Sequence, residues 1–473
     1  MIRIFNRKYR KKTMLLISEI IISFLGLLTF PIKGEQAWFI AFFIISLLQL
    51  ILHIFYLYNF EKKIISFPIF FILLSYVFNF GHLPIKAFGK DFGKNVLFPL
   101  WYIKFDIYKK AAFFTLLSQM MLVLGIIFIY RFLEKKGNIT LFNKGKNISL
   151  KKIKIIGLVC VGIGILPTLY IDVSKFLLFM QGGYLNTFNL QVHDFVETVA
   201  DFFNFGIFAL VIGFSNEKRK ANIIFFVTVV YKVVMMSCGG RGEAIVFLLG
   251  LFIVWEKYVV HLSKKQIIAL CFIGYAGLVL LNFIASARNI TSFNMKEIFD
   301  IFVYSLSNNQ LIATLSEFGS TFATVCFTIK SNPSQAYGLN YILPILLVIP
   351  NIGGFNSGVV DKMIFTKHIY TYKQPIGGSY IAELFYSYHW FGWLFAFVLG
   401  ILIGFIAYQL VYQNKHKNYF LYLLFAYTMP LLFFWIRGYF GAVYRTYIWH
   451  CGFTLIIVFF MKYYQTKKKG LVK

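Results

Sequence analysis

Apolar runs of about 17–25 residues, each long enough to carry a helix across the ~30 Å hydrocarbon layer of a bilayer, recur along almost the whole of the 473-residue chain. Inside lipid a segment must satisfy its own backbone N–H and C=O groups, and for such runs the helix does so within one segment. Composition agrees: 59% of residues are hydrophobic and only 14% charged, with a mean hydropathy of +0.72. A water-soluble domain of this length does not sustain that balance. The expectation is an all-α polytopic integral membrane protein, one membrane domain over residues 1–473.

The net charge of +29 would suit a nucleic-acid partner, but the basic residues sit in short clusters between apolar runs rather than on one surface. That distribution fits cytoplasmic loops and excludes nucleic acid as the natural partner. The most basic loop follows Arg131 and includes Lys135, Lys136, Lys144, Lys146, Lys151, Lys152 and Lys154; Glu217-Lys218-Arg219-Lys220, Lys264-Lys265, Lys415-His416-Lys417 and Lys467-Lys468-Lys469 repeat the signal. Placing these inside predicts about twelve spans with both termini cytoplasmic. The basic N-terminus leads into an apolar run with no small-residue cleavage site, so it is expected to be retained as the first span.

One stretch, about residues 286–389, is not plainly spanning and is expected to be a long extracytoplasmic loop before the tenth span. It carries helical spacing over Met295–Phe318 and Gly319–Lys330. Tyr341–Pro350 is an apolar piece too short to cross, which reads as re-entrant or interfacial. The five cysteines, Cys160, Cys238, Cys271, Cys326 and Cys451, have neither a CxxC pair nor a zinc-type spacing. No metal or cofactor is expected.

The turn Gly239-Gly240-Arg241-Gly242-Glu243 lies between two apolar runs, which puts Arg241 and Glu243 at a membrane surface. Ionisable groups there are functional candidates by default, weighed against interfacial anchoring. On the predicted topology Arg241, Arg288, Arg437 and Arg445 all face outward. Guanidinium groups bind phosphate bidentately and stay charged, so four from separate spans could hold one pyrophosphate. Glu243, Glu317 and Glu383 are the acidic candidates on the same face, with His389 in an aromatic run that also suits an interfacial belt. No acidic cluster of the DxD type is present to hold a metal on phosphates.

Four pieces carry a family resemblance: RGEA at Arg241–Ala244, SARN at Ser286–Asn289, SEFGSTFATV at Ser316–Val325 and GGSYIAELFYSYHWFGW at Gly377–Trp393. Their order and spacing, over about residues 30–460, resemble the O-antigen polysaccharide polymerase (Wzy-type) family. Many relatives have an Asn-Phe-Gly-like turn where this chain reads Tyr388-His389-Trp390-Phe391-Gly392, which weakens any role for His389. The resemblance implies a GT-C-like membrane glycosyltransferase, metal-independent, that polymerises undecaprenyl-pyrophosphate-linked repeat units outside the bacterial cytoplasmic membrane. The product would be an O-antigen or capsule, and a chain-length regulator and a flippase would be neighbours. Arg241 and Arg288 would hold the pyrophosphate, with Arg437 and Arg445 in support, and Glu383 or Glu243 would serve the acceptor hydroxyl. Glu317 and His389 are secondary candidates. A lipid-linked oligosaccharide flippase fits the span count equally well, and an O-antigen ligase is a nearer relative in chemistry.

Overall fold

The structure is a computed structural model that describes residues 2–89, 98–135, 148–236, 238–287, 295–307, 310–349, 358, 364–369 and 376–470. Among these there is no β-strand. The helices that matter for the site are α1 (Ile2–Leu28), α2 (Glu35–Glu61), α3 (Phe67–Phe80), α4 (His82–Phe88) and α5 (Phe105–Lys135). They are followed by α6 (Leu150–Asn186), α7 (Asp194–Gly213), α8 (Lys218–Met236), α9 (Arg241–Trp255) and α10 (Lys264–Ala287). The central stretch forms α11 (Met295–Ser307), α12 (Gln310–Gly319), α13 (Phe322–Ser331) and the short α14 (Leu339–Ile342). The chain ends in α15 (Tyr380–Tyr388), α16 (Gly392–Lys415), α17 (Tyr419–Trp435) and α18 (Gly441–Gly470).

Among the described residues, seven helices are long and apolar enough to cross a membrane, or eight if α3 and α4, bent by 44° at Gly81, make one span. The protein is therefore a polytopic helical membrane protein. Several runs in the expected set of about twelve form helices that fall outside the seven, among them α17 and α9, which have 17 and 15 residues. Conversely Leu311–Ser331, assigned by sequence to the external loop, is apolar enough over 21 residues to qualify as a span. Its polar interruption precedes the run rather than dividing it. Helix α6 is long, continuing to Asn186 and broken only at Gly182 and Gly183. Residues 172–181 keep apolar groups at helical spacing, so nothing stops the helix earlier.

Lipid-facing surfaces are apolar. Leu166 on α6 is 73% exposed and Phe272 on α10 is 74% exposed, an arrangement that water would penalise and lipid does not. Between helices, small residues bring backbones together, as van der Waals packing within a membrane favours. A Cβ on Gly125 of α5 would lie 2.1 Å from the Phe397 carbonyl of α16, and one on Gly400 would lie 2.0 Å from the Leu122 carbonyl. Gly164 makes the same kind of contact for α6 and α7, 2.2 Å from the Phe203 nitrogen.

Buried polar groups fix how these pairs assemble. Glu19 and His53 are fully buried and meet at 2.9 Å, and the Gln49 amide donates to Glu19 at 3.2 Å. The Tyr76 hydroxyl donates to Gln49 at 2.7 Å, which ties α1, α2 and α3. An unpaired carboxylate in this setting would cost several kcal/mol, so these partners are a condition of the packing. A second set joins α3, α5 and α15: the Gln119 amide donates to Ser75 at 2.5 Å, and Ser75 shares a 2.8 Å hydrogen bond with Tyr380. The Tyr380 ring faces Trp435 at 5.7 Å, which carries this scaffold to the base of the site.

The segment expected to be re-entrant forms α14 and a following tight helical turn, Leu343–Val348. It lies against α18, where the Trp449 indole donates to the Val348 carbonyl at 2.9 Å.

Candidate functional site

An open cavity of about 530 Å³ is lined by α6, α7, α8, α9, α17 and α18 and by the turn between the last two. Its charged walls are Asp172, Lys175, Glu197, Asp201, Lys232 and Glu243; Phe247, Tyr427, Phe434 and Tyr439 supply aromatic surface. In each of the six helices these residues lie toward the end remote from the basic clusters. At the other end of the same bundle Glu217 takes hydrogen bonds from Lys154 and from Lys220, the latter at 2.7 Å. These two ammonium groups hold the Glu217 carboxyl below the usual carboxylate range. The Trp255 indole donates to Asn222 at 2.8 Å on that side, and Tyr258 packs edge-on against Tyr422.

The glycines of the Arg241 turn are required by backbone geometry. Gly239 has φ 121° and Gly240 φ 67°, values that an L side chain adopts only with strain. This reversal starts α9 at Arg241 and puts Glu243 in its first turn, where the helix dipole favours a carboxylate. Glu243 reaches the cavity wall. Arg241 instead meets Glu317 of α12 at 2.8 Å, a bridge between two helices, and the Ser320 hydroxyl donates to the Glu317 carbonyl at 2.6 Å.

Of the two arginines near the C-terminus, Arg437 lies in the turn between α17 and α18 and Arg445 in the second turn of α18. Phe434, Tyr439, Val443 and Thr446, immediate neighbours of Arg437 and Arg445, line the cavity, and Arg445 is close enough to act on the Asp201 charge. The turn is seated on the Gly377-Gly378 pair. A Cβ on Gly378 would fall 2.1 Å from the Gly438 carbonyl, and one on Gly377 would fall 3.2 Å from the Arg437 carbonyl. Thr324 on α13 anchors this pair by donating to the Gly377 carbonyl at 2.8 Å.

Glu383 is fully buried beneath the turn rather than in the cavity. Its carboxylate accepts the Trp435 indole N–H at 2.5 Å and the Phe440 backbone N–H at 3.1 and 3.2 Å. His389, at φ 48°, stacks on Phe385 with 5.3 Å between ring centroids, and its Nε2 lies 2.8 Å from the Pro333 carbonyl. It joins the α15–α16 break to a loop, away from the cavity lining. Arg288 lies outside the described residues.

Of the residues singled out from sequence, Glu243 lines the cavity, Arg437 and Arg445 lie within three residues of lining residues, and Glu383 contacts the turn below it. Asp172, Lys175, Asp201, Asn204 and Lys232 also line the cavity and are not among the residues that stand out as site candidates in the sequence. The available signal was an isolated polar residue in an apolar stretch, as in Ala200-Asp201-Phe202-Phe203-Asn204 and Val230-Tyr231-Lys232-Val233.

The molecule is thus a multi-helix membrane protein with a cavity toward one end of its bundle, walled by carboxylates and lysines. The family model for O-antigen polysaccharide polymerase Wzy matches residues 14–469, and the chain belongs to that family. No curated protein and no solved structure matches it. Membership makes it an O-antigen polymerase in the general sense, acting on lipid-linked oligosaccharide repeat units in the membrane.

Proposed function

We propose that the protein polymerises undecaprenyl-pyrophosphate-linked repeat units on the outer face of the cytoplasmic membrane, with the reaction at the mouth of this cavity. The observation that carries the reading is that Glu243 shares one cavity with Tyr439, from the turn that bears Arg437, and with Val443 and Thr446, on either side of Arg445 in the first turns of α18. The basic clusters at the far end of the same helices support an outward-facing cavity.

In the reaction the acceptor hydroxyl oxygen attacks the anomeric carbon of the donor glycan, and the bond from that carbon to the pyrophosphate oxygen breaks. The hydroxyl proton passes to Glu243, and the pyrophosphate leaves on its lipid carrying the bonding pair. Arg437 and Arg445 stabilise the charge that develops on it, the type of contact whose removal costs roughly 10²–10³ in rate. Arg241, paired with Glu317, sets the first turn of α9 and thereby aims Glu243. Glu383 holds the arginine turn from below.

The same geometry counts against a flippase. The far ends of the cavity helices are packed by Trp255, Tyr258 and Tyr422 and joined by the Lys154–Glu217 bridge, so the polar volume stays at one end.

The test is a gel of surface glycan from a deletion strain complemented with wild type or with Glu243→Gln. The expected result is a ladder with wild type and a single repeat unit with the variant. Single units accumulating inside the cell in the deletion strain would favour a flippase, and full-length polymer left on its lipid carrier would favour a ligase.

A further inference from the structure

We propose that α11 is an interfacial helix, lying along the membrane surface on the cavity side of the bundle with one apolar face sunk among the lipids. Its partner is phospholipid, held by apolar burial and not by charge. The proposal goes beyond the polymerase reading and is independent of the reaction performed at the cavity.

At about 100° per residue, the 13 residues of Met295–Ser307 divide into three sectors around the helix. Ile298, Ile301 and Ser305 form the least exposed sector, with Ser305 at 3%. Met295, Phe299, Phe302, Val303 and Leu306 form the second, and all five are exposed, Phe299 to 64%. Phe302, at the border between these two, meets Phe283 of α10 edge-on at 5.6 Å. Lys296, Glu297 and Asp300 form the third sector, which is exposed as well.

This is the pattern of a helix with protein at its side, hydrocarbon beneath and water above. Standing upright, α11 would cover only about 20 Å of the ~30 Å hydrocarbon layer and would carry three exposed charges into it. Wholly in water, it would leave a continuous apolar stripe uncovered. Lying at the boundary avoids both costs.

The path of the chain delivers the helix to that boundary. Glu243 in the first turn of α9 lines the cavity, and Trp255 at the other end of α9 lies at the far end of the bundle. The 24-residue α10, starting at Lys264, therefore runs back to the cavity side. Phe272 and Ile273 on α10 are exposed to lipid, so the apolar sector of α11 continues a lipid-covered surface. One lysine against two carboxylates offers no basic face to anionic headgroups, which leaves apolar burial as the attraction. Only residues 308 and 309 separate α11 from α12, whose Glu317 meets Arg241, so the seat of α11 also fixes where α12 begins.

The experiment places the photo-crosslinking residue benzoylphenylalanine at Phe299, or separately at Glu297, in the full chain in nanodiscs of zwitterionic phosphatidylcholine. After irradiation, the intact chain is expected to gain the mass of one phosphatidylcholine from position 299 and nothing from position 297. Should the first variant not fold, the same replacement at Leu306 reads the same sector. No lipid adduct from a folded variant at either apolar position overturns the proposal. So does an equal adduct from position 297, the result for a helix immersed in lipid on every side. In membranes of the expressing cells, a crosslinked band at twice the chain's mass from position 299 also overturns it, since a second copy then covers that face. Failure of the polymerase reading leaves these adducts unchanged and shows in the surface-glycan gel instead.

Discussion

Glu383 on α15 and Trp435 at the end of α17 meet through a 2.5 Å hydrogen bond from the indole to a fully buried carboxylate, whose oxygens also receive the Phe440 backbone N–H. The connection ties the GGSYIAEL segment to the turn that carries Arg437. The Glu383 carboxylate is thus occupied by protein donors, whereas the Glu243 carboxylate borders the cavity, where the proposed mechanism has it take the proton.

Removing Glu383 therefore strands two buried donors. Glu383→Ala is expected to lower stability by about 2–6 kcal/mol, since each of the two unmet buried donors costs about 1–3 kcal/mol. Glu383→Gln, which still offers one acceptor oxygen, should recover part of this. Thermal unfolding in detergent beside polymerisation by both variants checks it; a stable Glu383→Ala protein that lacks activity would instead make Glu383 a reacting group.

Glu243→Gln should leave the thermal midpoint near that of wild type and lower transfer by about 10²–10⁴, the range for loss of a general base. The measurement is polymer formed per molecule of folded protein. Wild-type rates in the variant would remove Glu243 from the reaction.

Gly378→Ala introduces a methyl 2.1 Å from the Gly438 carbonyl. Backbone must move, at a cost of about 1–3 kcal/mol for overpacking, and the arginine turn should shift with it. Gly274→Ala meets nothing within 4 Å and serves as the neutral control. Comparing activity and unfolding of the two variants separates a seated turn from a general sensitivity to larger side chains.

Arg241 and Glu317 are partly exposed at 13% and 36% of their side-chain surface, so their pair is expected to contribute at most about 1 kcal/mol to stability. If Arg241 serves only to aim α9, Glu317→Ala should reduce polymerisation as much as Arg241→Ala, and the double variant should be no worse than either. A much larger loss in Arg241→Ala alone would place Arg241 on the substrate.

At the opposite end, Lys154 and then Lys220 lower the Glu217 carboxyl below its ordinary range. A group depressed on folding adds stability that is complete above its unfolded value and lost as pH falls through the folded one. A small acid-side loss of stability below the ordinary carboxylate range should accordingly disappear in Glu217→Gln, as read by thermal unfolding across pH.

The class of fold was legible in the chain because lipid allows so few solutions: apolar runs of bilayer length become helices, and basic clusters mark their ends. Arg437, Arg445 and Glu243 were legible for a related reason, as charges at the edges of apolar runs that stand out locally. The partners of Glu383 were not, since a carboxylate in an apolar helix looks alike whatever it meets, here an indole 52 residues away. Nor did spacing reveal that Asp172, Asp201, Lys232 and Glu243, from four different helices, share one cavity. Residues within one helix are related by the 3.6-residue period, but helices are related to each other only by packing. Here that is decided by contacts such as Gly125 on Phe397 and by the Ser75–Gln119–Tyr380 hydrogen bonds. The sequence alone determined that the chain lives in a membrane and which charges lie at its surfaces. The tertiary structure decided which of those charges meet, because a hydrogen bond or a shared cavity depends on a few ångströms that no periodicity records.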